Sequence, residues 1–306
     1  MKNFLRHLTE NNLFIVVYTV CCSLLWIRDF LLPTPPDINY TLCVVGTYIG
    51  VLVNAFILMS FIWDIGVTKS RYTLTAALYI LFLSSFPAFH TMWKVQLVVM
   101  VFQVVLLLIL KIYRKPDAMQ ESFITTLLLC IVSLAIPDIL IFIPILWIML
   151  SVQMSFNLRV WLASITGAAT VLLYIVLFDR LGYLPIGSIS DICSRVSITQ
   201  CGTMQLSALI TISAESLLFV CYSILHFRDE THNTRTYVIC FILCCITANV
   251  MMFFPPLNFP SLLIISILSL TGLMVYFYNK QHSVLSAVLF ILHTIIWVSL
   301  WCFDIL

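Results

Sequence analysis

Charge is what this 306-residue chain has least of. Only 9% of its residues are Asp, Glu, Lys or Arg, against 62% hydrophobic, and its mean hydropathy is +1.10. A soluble domain carries about 25% charged residues, so this chain does not cover a water-facing surface. It has no basic cluster, which excludes nucleic acid as a partner. It has no Gly-x-Ser-x-Gly, no His-Glu-x-x-His, no phosphate-cradling glycine loop and no nucleotide fingerprint, so no cofactor is expected. There is no Cys-x-x-Cys and no Cys/His spacing suited to zinc, so no metal site is expected among the eleven cysteines. Most of these cysteines lie in apolar runs, where the thiol packs as a small hydrophobe. No internal repeat is visible.

What the chain does have is a succession of apolar runs of membrane-spanning length. They predict an all-α, polytopic transmembrane bundle that occupies residues 1–306 as a single integral membrane domain. Its solvent is the lipid bilayer, and about eleven spans are expected. The basic residues of the N-terminus precede an apolar run that passes twenty residues without a small-residue cleavage site. That run is read as a retained first span, about 13–31. Pro33, Pro35 and Pro36 stop it. The second span, about 41–63, contains Gly46-x-x-x-Gly50, a spacing that lets a neighbouring helix approach closely. Trp26, Trp63 and Trp93 near span ends read as interfacial anchors.

The stretch 123–150 is the irregular one. Its 28 residues make about 42 Å of helix, long for one span and short for two. Pro137-Asp138 sits at its midpoint and Pro144 follows, so the helix must kink or break. A broken or re-entrant pair is favoured; read as one kinked helix, the same stretch gives ten spans. The longest polar connection, 179–203, carries isoleucines and a valine at helical spacing, predicting a short interfacial helix. Within it, Cys193 and Cys201 are candidates for a disulfide if that side of the membrane oxidises thiols.

Positive charge sets the expected orientation. With a cytoplasmic N-terminus and eleven spans, Lys2, Arg6, Lys69, Arg71, Lys111, Arg114, Lys115, Arg159, Arg228, Arg235 and Lys280 lie inside. Arg28, Lys94, Arg180 and Arg195 lie outside, eleven against four. A single kinked 123–150 reverses the second half and gives nine against six.

Ionisable groups inside spans need partners, and they mark candidate sites. Asp138, Glu215 and His293 are such groups, able to form a proton relay or a substrate-binding cluster if they converge. Asp138 has a second reading, as a cap for the helix that follows it. Arg28 and Asp29, at the end of the first span, read as an interfacial ion pair. Asp29 or Asp37 also resembles the carboxylate that polyprenol-dependent, lipid-linked-sugar glycosyltransferases place in their first outside loop. That resemblance implies a general base there, with Arg28 and Lys94 near a lipid phosphate. The first loop of this chain is much shorter than in that class.

The order of features resembles a family of uncharacterised multi-pass inner-membrane proteins of Bacteroidota. The matching pieces are Tyr79-Ile-Leu-Phe-Leu-Ser84-Ser85-Phe-Pro87, the hairpin Phe123…Ser133-Leu-Ala-Ile-Pro137…Pro144…Trp147, Arg159-Val-Trp161 with Gly167, and Pro255-Pro256-Leu257. Val160 stands where members carry an acidic residue, and Thr125-Thr126 where they carry glycines. The resemblance implies a bacterial inner-membrane location and cell-envelope work beside other envelope proteins, without a mechanism. Two function classes follow: a non-enzymatic scaffold subunit or carrier of lipid or small solute, and a lipid-linked-sugar transferase.

Overall fold

The computed structural model describes residues 12–27, 38–65, 72–112, 115, 117–153, 155–180, 203–253, 259–281 and 284–303. These form eleven α-helices: α1 Asn12–Trp26, α2 Ile38–Ile65, α3 Tyr72–Ser84, α4 Trp93–Lys111, α5 Met119–Ser133, α6 Phe142–Val152, α7 Leu158–Arg180, α8 Thr203–His226, α9 His232–Met251, α10 Phe259–Lys280 and α11 Val284–Phe303. No strand occurs among the described residues. An apolar solvent leaves backbone polar groups no partner but each other, and the helix satisfies them within one segment. Among the described residues five helices are long and apolar enough to cross a membrane: α2, α4, α8, α9 and α10.

Proline sets the breaks. A residue before proline is driven out of the helical region, and Phe86 (φ −120°, ψ 104°) and Ile136 (φ −139°, ψ 95°) both become extended. Short 3-10 turns at Pro87–Phe89 and Pro137–Ile141 follow them. α7 starts on a side-chain cap, in which the Val160 N–H donates to Asn157 Oδ1 at 2.8 Å.

Two helices form the centre. α3 with the two residues after it is buried from Thr73 to Phe86, and α10 from Ser261 to Tyr278. Both are apolar on every face, which is the pattern of a helix enclosed by protein. α1, α2 and α10 pack around α3, while α3, α4, α8 and α9 pack around α10. The outer helices keep one face exposed and apolar, as on α7 (Leu172, Leu173, Tyr174) and α8 (Leu217, Leu218, Leu225). Such faces suit a lipid surrounding and would be costly in water.

Inter-helix contacts fix direction. Along α2 and α4, Gly46 lies beside Trp93 and Gly50 beside Gln96, and the Asn54 carbonyl accepts from Gln103 Nε2 at 3.3 Å. The ascending order makes the two helices parallel. Trp26 at the end of α1 donates to Ser84 Oγ at the end of α3, 2.9 Å away.

α5 and α7 are also parallel. Ser122 donates to the Val160 carbonyl at 3.0 Å, and the Thr126 and Ser164 hydroxyls stand 2.7 Å apart. One kinked span over 119–152 would put Val160 at the far end of the bundle from Ser122. Instead the chain has come back to the level at which it entered. Ser155, just after α6, donates to the carbonyl of Ile112 at the end of α4, at 3.0 Å. At the other end of α6, Phe142 packs on Phe102, midway along α4, with ring centroids 4.9 Å apart. The Pro137–Ile141 turn is thus set inside the thickness of the bundle. With 15 and 11 residues, α5 and α6 are about 22 and 16 Å long, each short of a hydrocarbon core of about 30 Å.

The remaining helices alternate. Phe61 near the end of α2 meets Tyr237 near the start of α9, and Lys280 closing α10 pairs with Glu230 ahead of α9 at 2.8 Å. Lys111, Lys115, Arg159, Arg228, Arg235 and Lys280 therefore gather at one end, with Lys94 and Arg180 at the other.

Candidate functional site

Glu215 lies midway along α8 and His293 midway along α11. The bundle brings them together, with Glu215 Oε1 2.9 Å from His293 Nδ1. Trp297, one turn beyond His293 on the same face, donates its indole N–H to the carboxylate at 3.0 Å (Oε1) and 3.3 Å (Oε2). α3 supplies the wall. The Phe82 ring meets His293 and Trp297 edge-on, with centroids 5.1 and 4.3 Å away, and Phe86 meets Trp297 at 5.3 Å. His293 and Trp297 are buried, 5% and 0% exposed.

The chemistry follows from which ring nitrogen is engaged. A carboxylate at Nδ1 fixes the tautomer carrying its proton there and leaves the Nε2 lone pair open. His293 Nε2 has no hydrogen-bond partner among the described residues. The imidazole and the carboxylate are held against each other inside this aromatic wall.

Asp138 belongs to a different neighbourhood. It is buried in the Pro137–Ile141 turn, which packs on α5 and α6. The N-cap position of α6 is Ile141, with no side-chain bond. Gly50 lies against α4, where an added Cβ would come 2.8 Å from Gln96 Cβ; at Gly46 the nearest atom, Trp93 Cβ, is 3.9 Å away. Trp26 departs from the expected interfacial role. It is buried and stacked on His90 at 3.7 Å, because its N–H finds Ser84 inside the fold. Trp63 and Trp93 are exposed. Arg28, Asp29, Asp37, Cys193 and Cys201, and with them the interfacial helix expected in 179–203, lie outside the described residues.

A second polar cluster was not anticipated from the sequence. Asn54 of α2 donates through Nδ2 to the Gln96 carbonyl at 2.9 Å and to Gln96 Oε1 at 3.0 Å. The Tyr79 hydroxyl of α3 approaches the same Oε1 at 3.4 Å. All four side chains, Gln103 included, are buried. Asn54 Oδ1, Gln96 Nε2 and Gln103 Oε1 have no partner among the described residues. Each unmet polar atom of this kind costs about 1–3 kcal/mol. The one available signal was three carboxamides inside apolar runs, with Gln96 and Gln103 seven residues apart on one helix face.

Among the described residues no group of three or more His, Cys, Asp or Glu side chains is placed to hold a metal. Comparison of the chain with models of protein families, with curated proteins and with solved structures finds no match.

Proposed function

We propose that the chain is a multi-pass membrane protein of the bacterial inner membrane that works as a proton-coupled carrier of a lipid or small solute, with Glu215 and His293 as its proton-binding pair. One observation carries the reading: a carboxylate and an imidazole paired at mid-span, with His293 Nε2 open. A scaffold subunit has no use for such a pair, since ionisable groups are expensive at this depth and mark ion or substrate paths. The helix break at Pro137–Ile141 supports the same reading, because irregular backbone at mid-depth is typical of carriers. By the positive-inside rule the end bearing Lys111, Lys115, Arg159, Arg228, Arg235 and Lys280 faces the cytoplasm. Other envelope proteins or a lipid-linked molecule are the partners this location offers.

The test uses purified protein in liposomes that enclose a pH-sensitive dye. An inside-negative potassium diffusion potential is imposed, with and without a panel of anionic, cationic and neutral solutes. The expected result is protein-dependent acidification of the lumen, accelerated by the carried solute. Glu215→Gln should slow it to the rate of empty liposomes while the variant still elutes as a folded species. Wild-type protein that behaves like empty liposomes with every solute would overturn the proposal.

A further inference from the structure

We propose that the carboxamide cluster between α2, α3 and α4 binds a small uncharged molecule that both donates and accepts hydrogen bonds, water being the simplest. The chemistry of the open positions selects it. Asn54 Oδ1 and Gln103 Oε1 are acceptors in want of a donor, and Gln96 Nε2 is a donor in want of an acceptor. Only a molecule with both capacities serves all three. Asn54, Gln96, Gln103 and Tyr79 carry no formal charge, so nothing in the cluster favours an ion.

As placed in the bundle, the three carboxamides leave these positions unmet by one another. Both Asn54 Nδ2 hydrogens are already committed to Gln96, one to its carbonyl and one to Oε1. Gln103 Nε2 is directed at the Asn54 carbonyl. Gly50 holds the Gln96 stem at a separation that no Cβ would allow, so the carboxamide cannot swing out over α2. Thr75, one turn before Tyr79 on α3, is fully buried with its hydroxyl open as well. A buried polar site that leaves both donors and acceptors unmet is the setting in which an ordered water is held. This site is distinct from the Glu215–His293 pair and does not depend on its role.

Radiolytic footprinting of the full-length protein in detergent reads the site directly. Hydroxyl radicals formed from a bound water oxidise the aromatic ring beside it, and Tyr79 is that ring. Tyr237 is the internal control, since it is as buried as Tyr79 and its hydroxyl is engaged by the Gly272 carbonyl at 3.2 Å. The expected result is modification of Tyr79 several-fold above Tyr237, with loss of that excess in Gln103→Leu and in Asn54→Leu. Equal modification of the two tyrosines in the wild type would overturn the proposal, as would an undiminished excess in both variants. Repeating the exposure with urea or glycerol tells the sources apart. Protection of Tyr79 identifies a small organic solute as the occupant; unchanged modification identifies water. Should either leucine variant fail to fold, Gln103→Glu, which keeps the size and the acceptor, supplies the second comparison, with the Tyr79 excess retained.

Discussion

Trp297 is where one hydrogen ties two helices. Its indole N–H reaches both oxygens of Glu215, so the ring that walls the carboxylate also satisfies it. Trp297→Phe keeps most of the packing and removes the donor. The expected cost is about 1–3 kcal/mol, that of leaving a buried acceptor short of a partner, read from denaturant unfolding of the protein in detergent. An unchanged midpoint would mean that the indole only packs. At this scale the sequence was half informative. Glu215 and His293 stood out because charge inside an apolar run is conspicuous, whereas their pairing depends on which helices are neighbours. Asn54, Gln96 and Gln103 carry no charge and stood out much less. Trp26 looked like an interfacial residue because its position in the chain says nothing of His90 and Ser84.

Helices approach each other where a side chain is missing, and the glycines rank how closely. A Cβ on Gly272 would come 2.3 Å from Phe241 Cδ1 and 2.8 Å from Tyr237 Oη, and one on Gly167 would come 2.7 Å from the Phe123 carbonyl oxygen. Backbone cannot yield as a flexible side chain can, so α7 would have to part from α5. Gly167→Ala and Gly50→Ala should each cost about 1–3 kcal/mol from overpacking, and Gly46→Ala should be tolerated, all read as thermal midpoints in detergent. Equal effects at positions 46 and 50 would contradict the α2–α4 register. The Gly-x-x-x-Gly spacing was legible as a pattern, but the unequal demands on its two glycines come from the angle at which α4 crosses. Pro137 made the break legible. The return of the chain was not, since it shows only in the hydrogen bonds of Ser122, Thr126 and Ser155.

The whole molecule has two ends, and the α5–α6 pair decides which loops share one. In a background free of native cysteines, Asp117→Cys and Thr231→Cys should react with an impermeant maleimide from the same side of the membrane. Thr91→Cys should react from the other side. All three positions are exposed. Labelling of 117 and 231 from opposite sides would mean that 119–152 crosses once. The count of basic residues leaned the same way, eleven against four, with nine against six for the alternative; a difference of two residues resolves orientation poorly when a chain has so little charge. The burial of α10 on all sides also has a meaning for how the protein is made. A ribosome delivers α3 early and α10 near the end, yet each is walled by the other. Until the tenth helix emerges, α3 must spend its time against lipid, in surroundings it does not keep. The outer helices synthesised in between have no completed centre to close upon. Assembly of this protein is therefore an event of late synthesis, when a helix that touches no lipid in the finished bundle is taken up from lipid into the middle.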